Sequence, residues 1–287
     1  TQHTVKELRG LGISPDILVC RSSAPLNEET SNKLAAFCHV KPEAVMSTHD
    51  VPNIYHVPLM LQEQGLCDIL DVDCSATALL KDCKKMAHHL DTLTEEVHIA
   101  MVGKYTDLSD AYLSVIKSLQ HAAMAVDRKL VIDWIEASHL EHNWEKSERE
   151  TAWKSLREAD GVLVPGGFGD RGIEGKILAA HHARTNGIPY LGICLGLQLQ
   201  FEQSDEGSDP GLGLLGGRVS RLPSNSGERI PHMGWAPLKH HGSCPLLSSD
   251  APSEWVYFVH SYAAVPSDRN DLKASAPFGD QEVTAVV

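Results

Sequence analysis

The sequence lacks any apolar run near the roughly 18 residues that a membrane-spanning helix needs, so a membrane is not expected as a partner. It also lacks an excess of positive charge: 38 acidic residues against 25 Lys and Arg give a formal net charge of -13. General nucleic-acid binding requires a basic surface, and nucleic acid is therefore not expected either. A small nucleotide site, which can be locally basic, remains compatible with this charge.

The seven cysteines contain no C-x-x-C pair, which argues against a zinc ribbon. Their odd number and irregular spacing fit thiols kept reduced in the cytoplasm. The paired histidines at 181–182 and 240–241 lack a third ligand at metal spacing, so no metal is expected and these side chains are predicted to be solvated. The chain opens without Met and without a charged-then-apolar signal segment. We expect it to start inside a longer polypeptide.

Three stretches differ in pattern. Residues 1–70 alternate between short strand-like and helical segments, too few to complete a sheet, and residues 71–96 resemble a helical connector. Residues 97–287 begin with repeated strand–helix units and become rich in strands and turns after about residue 203. This alternation predicts an α/β fold whose mostly parallel, twisted sheet has helices on both faces. Functional sites in such sheets lie at the carboxyl ends of the strands.

The segment Gly192-Ile193-Cys194-Leu195-Gly196 follows an apolar strand and precedes a helix predicted over residues 195–202. A sharp strand-to-helix turn exposes a nucleophile and surrounds it with backbone N–H groups, while flanking glycines relieve the crowding. The helix N-terminus is expected to lower the pKa of the thiol. A buried structural cysteine in such a turn is the simpler alternative.

A second glycine turn, Pro165-Gly166-Gly167-Phe168-Gly169, also follows an apolar strand. If the two strands are neighbours, backbone N–H groups of Gly167 and Leu195 can form an oxyanion hole beside Cys194. Gln198 lies one helical turn past Cys194 and is predicted to face the same pocket. These additions favour a catalytic nucleophile.

Residues 191–198, L-G-I-C-L-G-L-Q, resemble the nucleophile elbow of class I glutamine amidotransferases, which have a flavodoxin-like fold. The resemblance implies a Cys-His-Glu triad, a glutamyl thioester on Cys194 and release of ammonia to a partner site. It implies that Gly166, Gln198 and the stretch His260-Ser261-Tyr262 bind glutamine. It implies no cofactor in the glutaminase domain.

Further motifs resemble the CTP synthase family over residues 1 to about 200: the opening T-Q-H-T-V-K-E-L-R-G-L-G-I-S-P-D, C-R-S at 20–22, H-D-V at 49–51, M-V-G-K-Y at 101–105 and V-P-G-G-F-G-D-R-G-I-E-G at 164–175. The resemblance divides the chain into the end of a synthetase domain (1–70), a linker (71–96) and a glutaminase domain truncated at its C-terminus (97–287). It implies nucleotide contacts at Arg21, Lys33, Phe37, Asp50 and Val51.

For the complete enzyme the same resemblance implies ATP-dependent amination of UTP to CTP with Mg²⁺. It also implies GTP as an effector and a homo-oligomer, a tetramer in this family. The P-loop and Mg²⁺ ligands of a synthetase are not among these residues. Without the family resemblance, each of the five residues implied to contact nucleotide would be interpreted as a surface charge or a packed apolar side chain.

From about residue 201 the sequence resembles a different family. The stretches F-E-Q-S-D-E-G, G-L-G-L-L-G-G-R-V, I-P-H-M-G-W and Y-F-V-H-S-Y resemble the glutaminase subunit of imidazole glycerol phosphate synthase. This makes a glutaminase of histidine biosynthesis the alternative function. A fusion, an engineered hybrid and a divergent natural enzyme all fit the mixture.

Both families place the triad His and Glu after a strand like 282–287, and no H-x-E triplet follows Cys194. His260 is assigned by the resemblance to the pocket wall rather than to the base. A positioned base contributes about 10² to 10⁴-fold, so impaired turnover is expected. An inactive assembly module is the non-enzymatic alternative.

Overall fold

The computed structural model describes residues 1–73, 78–104, 106, 109–167, 169, 171–207, 210–225, 227–247 and 254–287. Residues 74–77 of the predicted linker lie outside this part, as do three residues of the quoted motifs: Tyr105, Phe168 and Asp170. The chain forms two compact units, one made of residues 1–96 and 120–129 and the other of residues 97–119 and 130–287. The predicted boundaries at residues 70 and 96 stay a prediction.

The first unit contains a parallel strand pair with helices. Its elements are α1 (Gln2–Gly10), β1 (Leu18–Ser22), α2 (Glu28–Cys38), β2 (Val45–His49), α3 (His56–Glu63), α4 (Leu66–Ile69) and α5 (Ala78–Thr92). Helix α2 begins where the side chain of Asn27 accepts a hydrogen bond from the Thr30 N–H, a standard N-cap. Strands β1 and β2 pair in parallel. Buried residues from α1, α2 and both strands form one core, which explains why this short segment orders: Val5, Leu18, Cys20, Ala35, Cys38 and Val45.

The central sheet of the chain has the strand order β4-β3-β5-β6 in the part that the structure describes. Its elements and their connections are β3 (Glu96–Gly103), α6 (Leu113–Ala125), β4 (Lys129–Glu136), α7 (Lys146–Glu158), β5 (Gly161–Val164), α8 (Ile173–Asn186), β6 (Tyr190–Gly192) and α9 (Leu195–Gln198). The pairs β3–β5 and β5–β6 are parallel. The predicted α/β fold with a parallel sheet is confirmed.

Alternation along the strands explains why helices cover both faces of this sheet. Ala100 and Val162 belong to a cluster with residues of α7 and α8. Their chain neighbours Met101 and Leu163 belong to another cluster, which contains residues of α6. Because successive side chains of a strand point to opposite faces, each face is buried against its own helices.

The remaining chain is β-rich, as predicted. It comprises β7 (Phe201–Ser204), β8 (Leu215–Arg221), β9 (His232–Pro237), β10 (Lys239–His240), β11 (Trp255–His260), β12 (Tyr262–Pro266), β13 (Ala274–Phe278) and β14 (Gln281–Val286). In the described residues these strands form the groups β12-β8-β7, β11-β9 and β10-β13-β14. The strands predicted at 256–259 and 282–287 are found as β11 and β14.

The helix predicted over residues 195–202 is shorter than expected, because α9 ends at Gln198. Phe201 begins β7, pairs with Leu215 and is fully buried against Val219 and Ala264. Burial of this aromatic ring and strand pairing outweigh the helical tendency of the sequence, which is a weak local preference. The prediction of helix at residues 199–202 was wrong.

We expect Phe201→Ala to reduce the free energy of unfolding by about 3 to 5 kcal/mol, because it leaves a cavity in a packed cluster. Urea denaturation followed by far-UV circular dichroism measures the change. Gln203→Ala, at an exposed residue of the same strand, is the matched control and should stay within about 0.5 kcal/mol. Equal effects of both substitutions would contradict the assignment of Phe201 to the core.

Candidate active site

Cys194 occupies a sharp turn between β6 and α9. Its backbone has φ 54° and ψ -112°, a conformation that residues with a side chain rarely adopt. Such conformations typically cost about 1–3 kcal/mol and cluster at functional sites, because they persist only where surrounding contacts enforce them. The turn predicted from the sequence is therefore present, and it holds Cys194 with exposed surface.

The two glycines that flank Cys194 are required by close backbone approach. A Cβ at Gly192 would lie 2.2 Å from the Gly196 carbonyl oxygen, and a Cβ at Gly196 would lie 2.1 Å from the Val164 carbonyl oxygen. Both distances are far inside van der Waals contact. The elbow can form only with glycine at these positions unless the backbone moves.

The Pro165-Gly166-Gly167 segment lies directly beside Cys194. Strands β5 and β6 are neighbours with Val164 opposite Gly192, and the Ile193 N–H donates to the Val164 carbonyl at 2.9 Å. A Cβ on Gly166 would lie 2.9 Å from Cys194 Cβ and 3.4 Å from its Sγ. The two glycine turns that the sequence analysis singled out therefore meet at the carboxyl end of the sheet.

The predicted oxyanion donors both lie next to Cys194 in the turn region. The Leu195 N–H donates to the Cys194 sulfur. Gly167 follows Gly166 in the adjoining turn and is half-buried above the ammonium of Lys176. Their roles as oxyanion donors stay a prediction.

The pKa of Cys194 differs from the expectation. Desolvation by the surrounding protein atoms raises the pKa of the thiol above its usual value. The Leu195 N–H and the charge of Lys176 act in the opposite direction, and Glu206 adds to the rise. The N–H group at the start of α9 acts in the predicted direction, but desolvation of the thiol outweighs it. The predicted lowering of the Cys194 pKa was therefore wrong. The stability of the thiolate depends on the neighbouring charges.

Two of the predicted glutamine-binding residues donate to the backbone carbonyl of a third. The Gln198 side-chain amide donates to the Tyr262 carbonyl at 3.1 Å, and His260 Nδ1 donates to the same oxygen at 2.8 Å. The carbonyl of Ser261 accepts the Leu222 N–H at 2.9 Å. These contacts tie α9 to β11 and β12. The structure thus groups Gln198 with the 260–262 stretch, and glutamine binding by them stays a prediction.

His260 also contacts a residue that the sequence analysis did not select. Its Nε2 lies 3.1 Å from Nδ1 of His232, whose ring stacks on Phe258 with centroids 4.8 Å apart. Because His260 donates through Nδ1, its neutral Nε2 accepts the hydrogen bond from His232. Both ring nitrogens of His260 are engaged in this arrangement, which fits a wall residue better than a free base.

Two buried lysines near Cys194 were also missed. Lys176 has no exposed surface and Lys104 is 4% exposed. The only sequence signal for Lys176 was its position beside the apolar run at residues 177–180. That run shows which part of α8 is buried, but it does not indicate that a charged side chain shares the burial.

The residues predicted to contact nucleotide lie in the first unit. Arg21 is near the end of β1 and Asp50 and Val51 directly follow β2, so they share the carboxyl edge of a parallel pair. Arg21 and Asp50 form an exposed ion pair at 2.6 Å. Lys33 and Phe37 are exposed and one turn apart on α2. Nucleotide binding by these five residues stays a prediction.

Within the described residues, no group of three or more His, Cys, Asp or Glu side chains could hold a metal ion. His240 pairs with Glu254 at 2.7 Å, and His182 packs edge-on against Trp153. His240 and His182 are therefore half-buried, and each contacts a neighbouring side chain. This corrects the expectation that they are simply solvated. In the same part of the chain, none of the helices combines the length and apolar character needed to cross a membrane.

The profile of the family "Glutamine amidotransferase class-I" matches residues 107–287, which include the whole Cys194 site. The chain belongs to the class I glutamine amidotransferase family. A second profile, "CTP synthase N-terminus", matches residues 1–74. These matches confirm the family resemblance inferred from the elbow and from the opening motifs.

Individual relatives reproduce both parts of the resemblance. CTP synthase of Dictyostelium discoideum is 52% identical over 219 residues, covering 69% of this chain and 38% of that protein. The imidazole glycerol phosphate synthase subunit HisH of Synechococcus sp. is 93% identical over 99 residues, covering 34% of this chain and 46% of that protein. The matched segments therefore span less than half of either relative.

Among solved structures, the glutaminase domain of Trypanosoma brucei CTPS with bound acivicin is similar at a TM-score of 0.49 and 27% identity. The similarity covers 66% of this chain and 79% of that chain.

We expect Gly166→Ala to slow alkylation of Cys194 at least tenfold, because its methyl group would press on Cys194 Cβ. Rates are measured with iodoacetamide and peptide mass spectrometry. Gly10→Ala is the control, since a Cβ there meets nothing within 4 Å. An unchanged alkylation rate in folded Gly166→Ala protein would show that the two turns do not meet as described.

The His232–His260 contact predicts a stability loss at acid pH. Burial, as the main cause, lowers the pKa of both histidines below 6.5, so the unfolded chain binds protons first as pH falls. Stability should therefore decline below about pH 6.5, by at most about 1.4 kcal/mol per pH unit for each proton. Thermal unfolding at pH 7.5 and 5.5 measures this decline. His232→Gln should reduce it and the exposed His142→Gln should not; the same pH dependence in all three proteins would contradict the assignment.

Proposed function

We propose that this chain hydrolyses glutamine at Cys194. The observation that carries the proposal is the strained Cys194 backbone at the carboxyl end of β6, with the Leu195 N–H on the sulfur and Gly166 in contact with the side chain. A thiol in an enforced turn beside two backbone segments has the geometry required for acyl transfer. Membership of the amidotransferase family supports glutamine as the substrate.

In the proposed reaction the Cys194 thiolate attacks the carboxamide carbon of glutamine and forms a C–S bond. Negative charge moves to the carboxamide oxygen, where the N–H groups of Leu195 and Gly167 stabilise it. The C–N bond then breaks, the nitrogen takes up the proton that the Cys194 thiol released and ammonia leaves, so that a glutamyl thioester remains. Water hydrolyses the thioester to glutamate and regenerates the thiol. The net change is glutamine plus water to glutamate plus ammonia.

For the whole protein we propose glutamine-dependent CTP synthase, in which the ammonia aminates UTP. The matches over residues 1–74 and to CTP synthase over 69% of the chain support this assignment. UTP or CTP and ATP would contact the first unit through Arg21, Lys33, Phe37, Asp50 and Val51, with GTP as an effector and a homo-oligomeric assembly. ATP and Mg²⁺ belong to the complete synthetase. The described side chains form no metal-binding group, and no step is assigned to Mg²⁺ here.

A second candidate is the glutaminase of imidazole glycerol phosphate synthesis. It is favoured by the 93% identity to the HisH subunit over 99 residues. The two candidates share the chemistry at Cys194 and differ in the site that receives ammonia. For either one we propose a cytoplasmic location, because a reducing compartment preserves thiols and five of the six described cysteines are free; Cys67 is disulfide-bonded and does not support this location.

An electrophilic glutamine analogue should label Cys194 once per chain, and Cys194→Ala should abolish the labelling. The reaction needs the nucleophile and the glutamine pocket but no completed turnover, so it tests this site directly. Intact-protein and peptide mass spectrometry measure the extent and position of the label. L-Glutamine should protect Cys194, whereas D-glutamine should not.

The half-buried Cys244 supplies the matched control, because Cys244→Ala should leave labelling unchanged. Acceleration of labelling by UTP with ATP supports the CTP synthase assignment, and acceleration by the imidazole pathway's cyclase supports the second candidate. Folded protein that resists the analogue would overturn the proposed hydrolysis and favour a role in assembly.

A further inference from the structure

A fully buried lysine lies beneath the glycine turn beside Cys194. Lys176 is in the first part of α8 and has no exposed surface. Its Nζ donates to the Pro165 carbonyl at 3.2 Å, and a Cβ at Gly167 would lie 3.3 Å from the same Nζ. The ammonium therefore supports the Pro165–Gly167 segment from the side opposite the solvent.

Lys104 reinforces the same support. Its Nζ donates to the Gly169 carbonyl, and its Cδ would lie 3.6 Å from a Cβ at Gly167. Arg171 in turn donates to the Lys104 carbonyl at 2.7 Å. Two buried cations thus hold the turn that supplies the Gly167 N–H. Packing alone does not require charge in this position, because an apolar side chain of similar length would fill the space without a desolvation cost.

Among the residues that the structure describes, three titratable groups act on Lys176. Lys104 repels it, Glu136 attracts it, and the Cys194 thiolate attracts it. Glu136 is shared with Arg171, whose guanidinium lies 3.6 Å away, and Glu206 acts on Cys194. Burial, followed by Lys104, lowers the pKa of Lys176 to about 8, so the ammonium is mostly protonated at neutral pH.

Electrostatic coupling between two groups acts equally on both. The positive charge of Lys176 lowers the pKa of Cys194 and the thiolate raises the pKa of Lys176. The charge of Lys176 adds to the effect of the Leu195 N–H at the start of α9, which is the larger of the two influences that lower the Cys194 pKa. The same charge lies close to Gly167, whose N–H is the second proposed oxyanion donor.

We propose that Lys176 is a positioning residue for the nucleophile: its buried ammonium fixes the Pro165–Gly167 turn and supplies the positive charge that stabilises the Cys194 thiolate and the oxyanion. The mechanistic part rests on the proposed glutamine hydrolysis. The thiolate part stands on the contacts of Lys176 with the turn and is testable without glutamine.

The test is the pH dependence of Cys194 alkylation by iodoacetamide, which is neutral and needs no glutamine pocket. Lys176→Met should raise the apparent thiol pKa by about one unit and slow alkylation at pH 7 about tenfold, while Lys176→Arg should largely preserve both. Lys154→Met, at an exposed lysine of α7, is the matched control and should behave as wild type. A wild-type pH midpoint in folded Lys176→Met protein would overturn the proposal.

Burial of Lys176 gives a second measurement if Lys176→Met fails to fold. In ¹³C-lysine-labelled protein, one signal should titrate near pH 8 and disappear in Lys176→Arg. Absence of such a signal would also overturn the proposal, because Lys176 would then not be the buried ammonium beneath the turn.

These results separate the two proposals. Labelling by the glutamine analogue that does not depend on Lys176 would remove the role of this lysine and leave glutamine hydrolysis intact. If alkylation by iodoacetamide depends on Lys176 but the glutamine analogue does not label Cys194, the role of Lys176 is supported and the proposed glutamine hydrolysis is overturned.

Discussion

The close approach of two backbone segments behind Cys194 determines the geometry of the candidate site. Gly196 packs against the Val164 carbonyl and Gly192 packs against Gly196, at distances that exclude any side chain. Parallel pairing of β5 and β6 sets this contact, because it places Val164 opposite Gly192. The positive φ of Cys194 and its contact with Gly166 follow from the same constraint. A looser pairing would relax the strained turn and separate the thiol from the backbone donors.

Tight packing has an electrostatic cost at the thiol. The atoms that enforce the turn also desolvate Cys194 and raise its pKa, which disfavours the reactive thiolate. Two opposing interactions are available, the Leu195 N–H and the buried charge of Lys176. The site therefore balances desolvation of the thiol against charge stabilisation of the thiolate, and one of the stabilising groups, Lys176, is fully buried.

The change of likeness near residue 201 does not interrupt the packing. Leu197, which precedes the change, packs against the buried cluster of Phe201, Val219 and Ala264, which follow it. Gln198 bonds to the carbonyl of Tyr262 across the same junction. Residues that resemble two families thus share one core and one set of hydrogen bonds. The amidotransferase family profile accounts for this compatibility, since it matches residues 107–287 and so covers both sides of the junction.

The sequence by itself determined the parallel sheet and the elbow, because apolar strands, helix periodicity and paired glycines are local signals with few physical alternatives. It placed Cys194, Gly166 and Gly167 correctly at strand ends. Tertiary structure decided what local signals do not encode: that α9 stops at Gln198 because Phe201 is buried in a strand, and that Lys176 and His232 reach the site from distant segments. Charge and burial at a point depend on every segment that packs there, so the raised thiol pKa and its opposing cation follow only from the assembled fold.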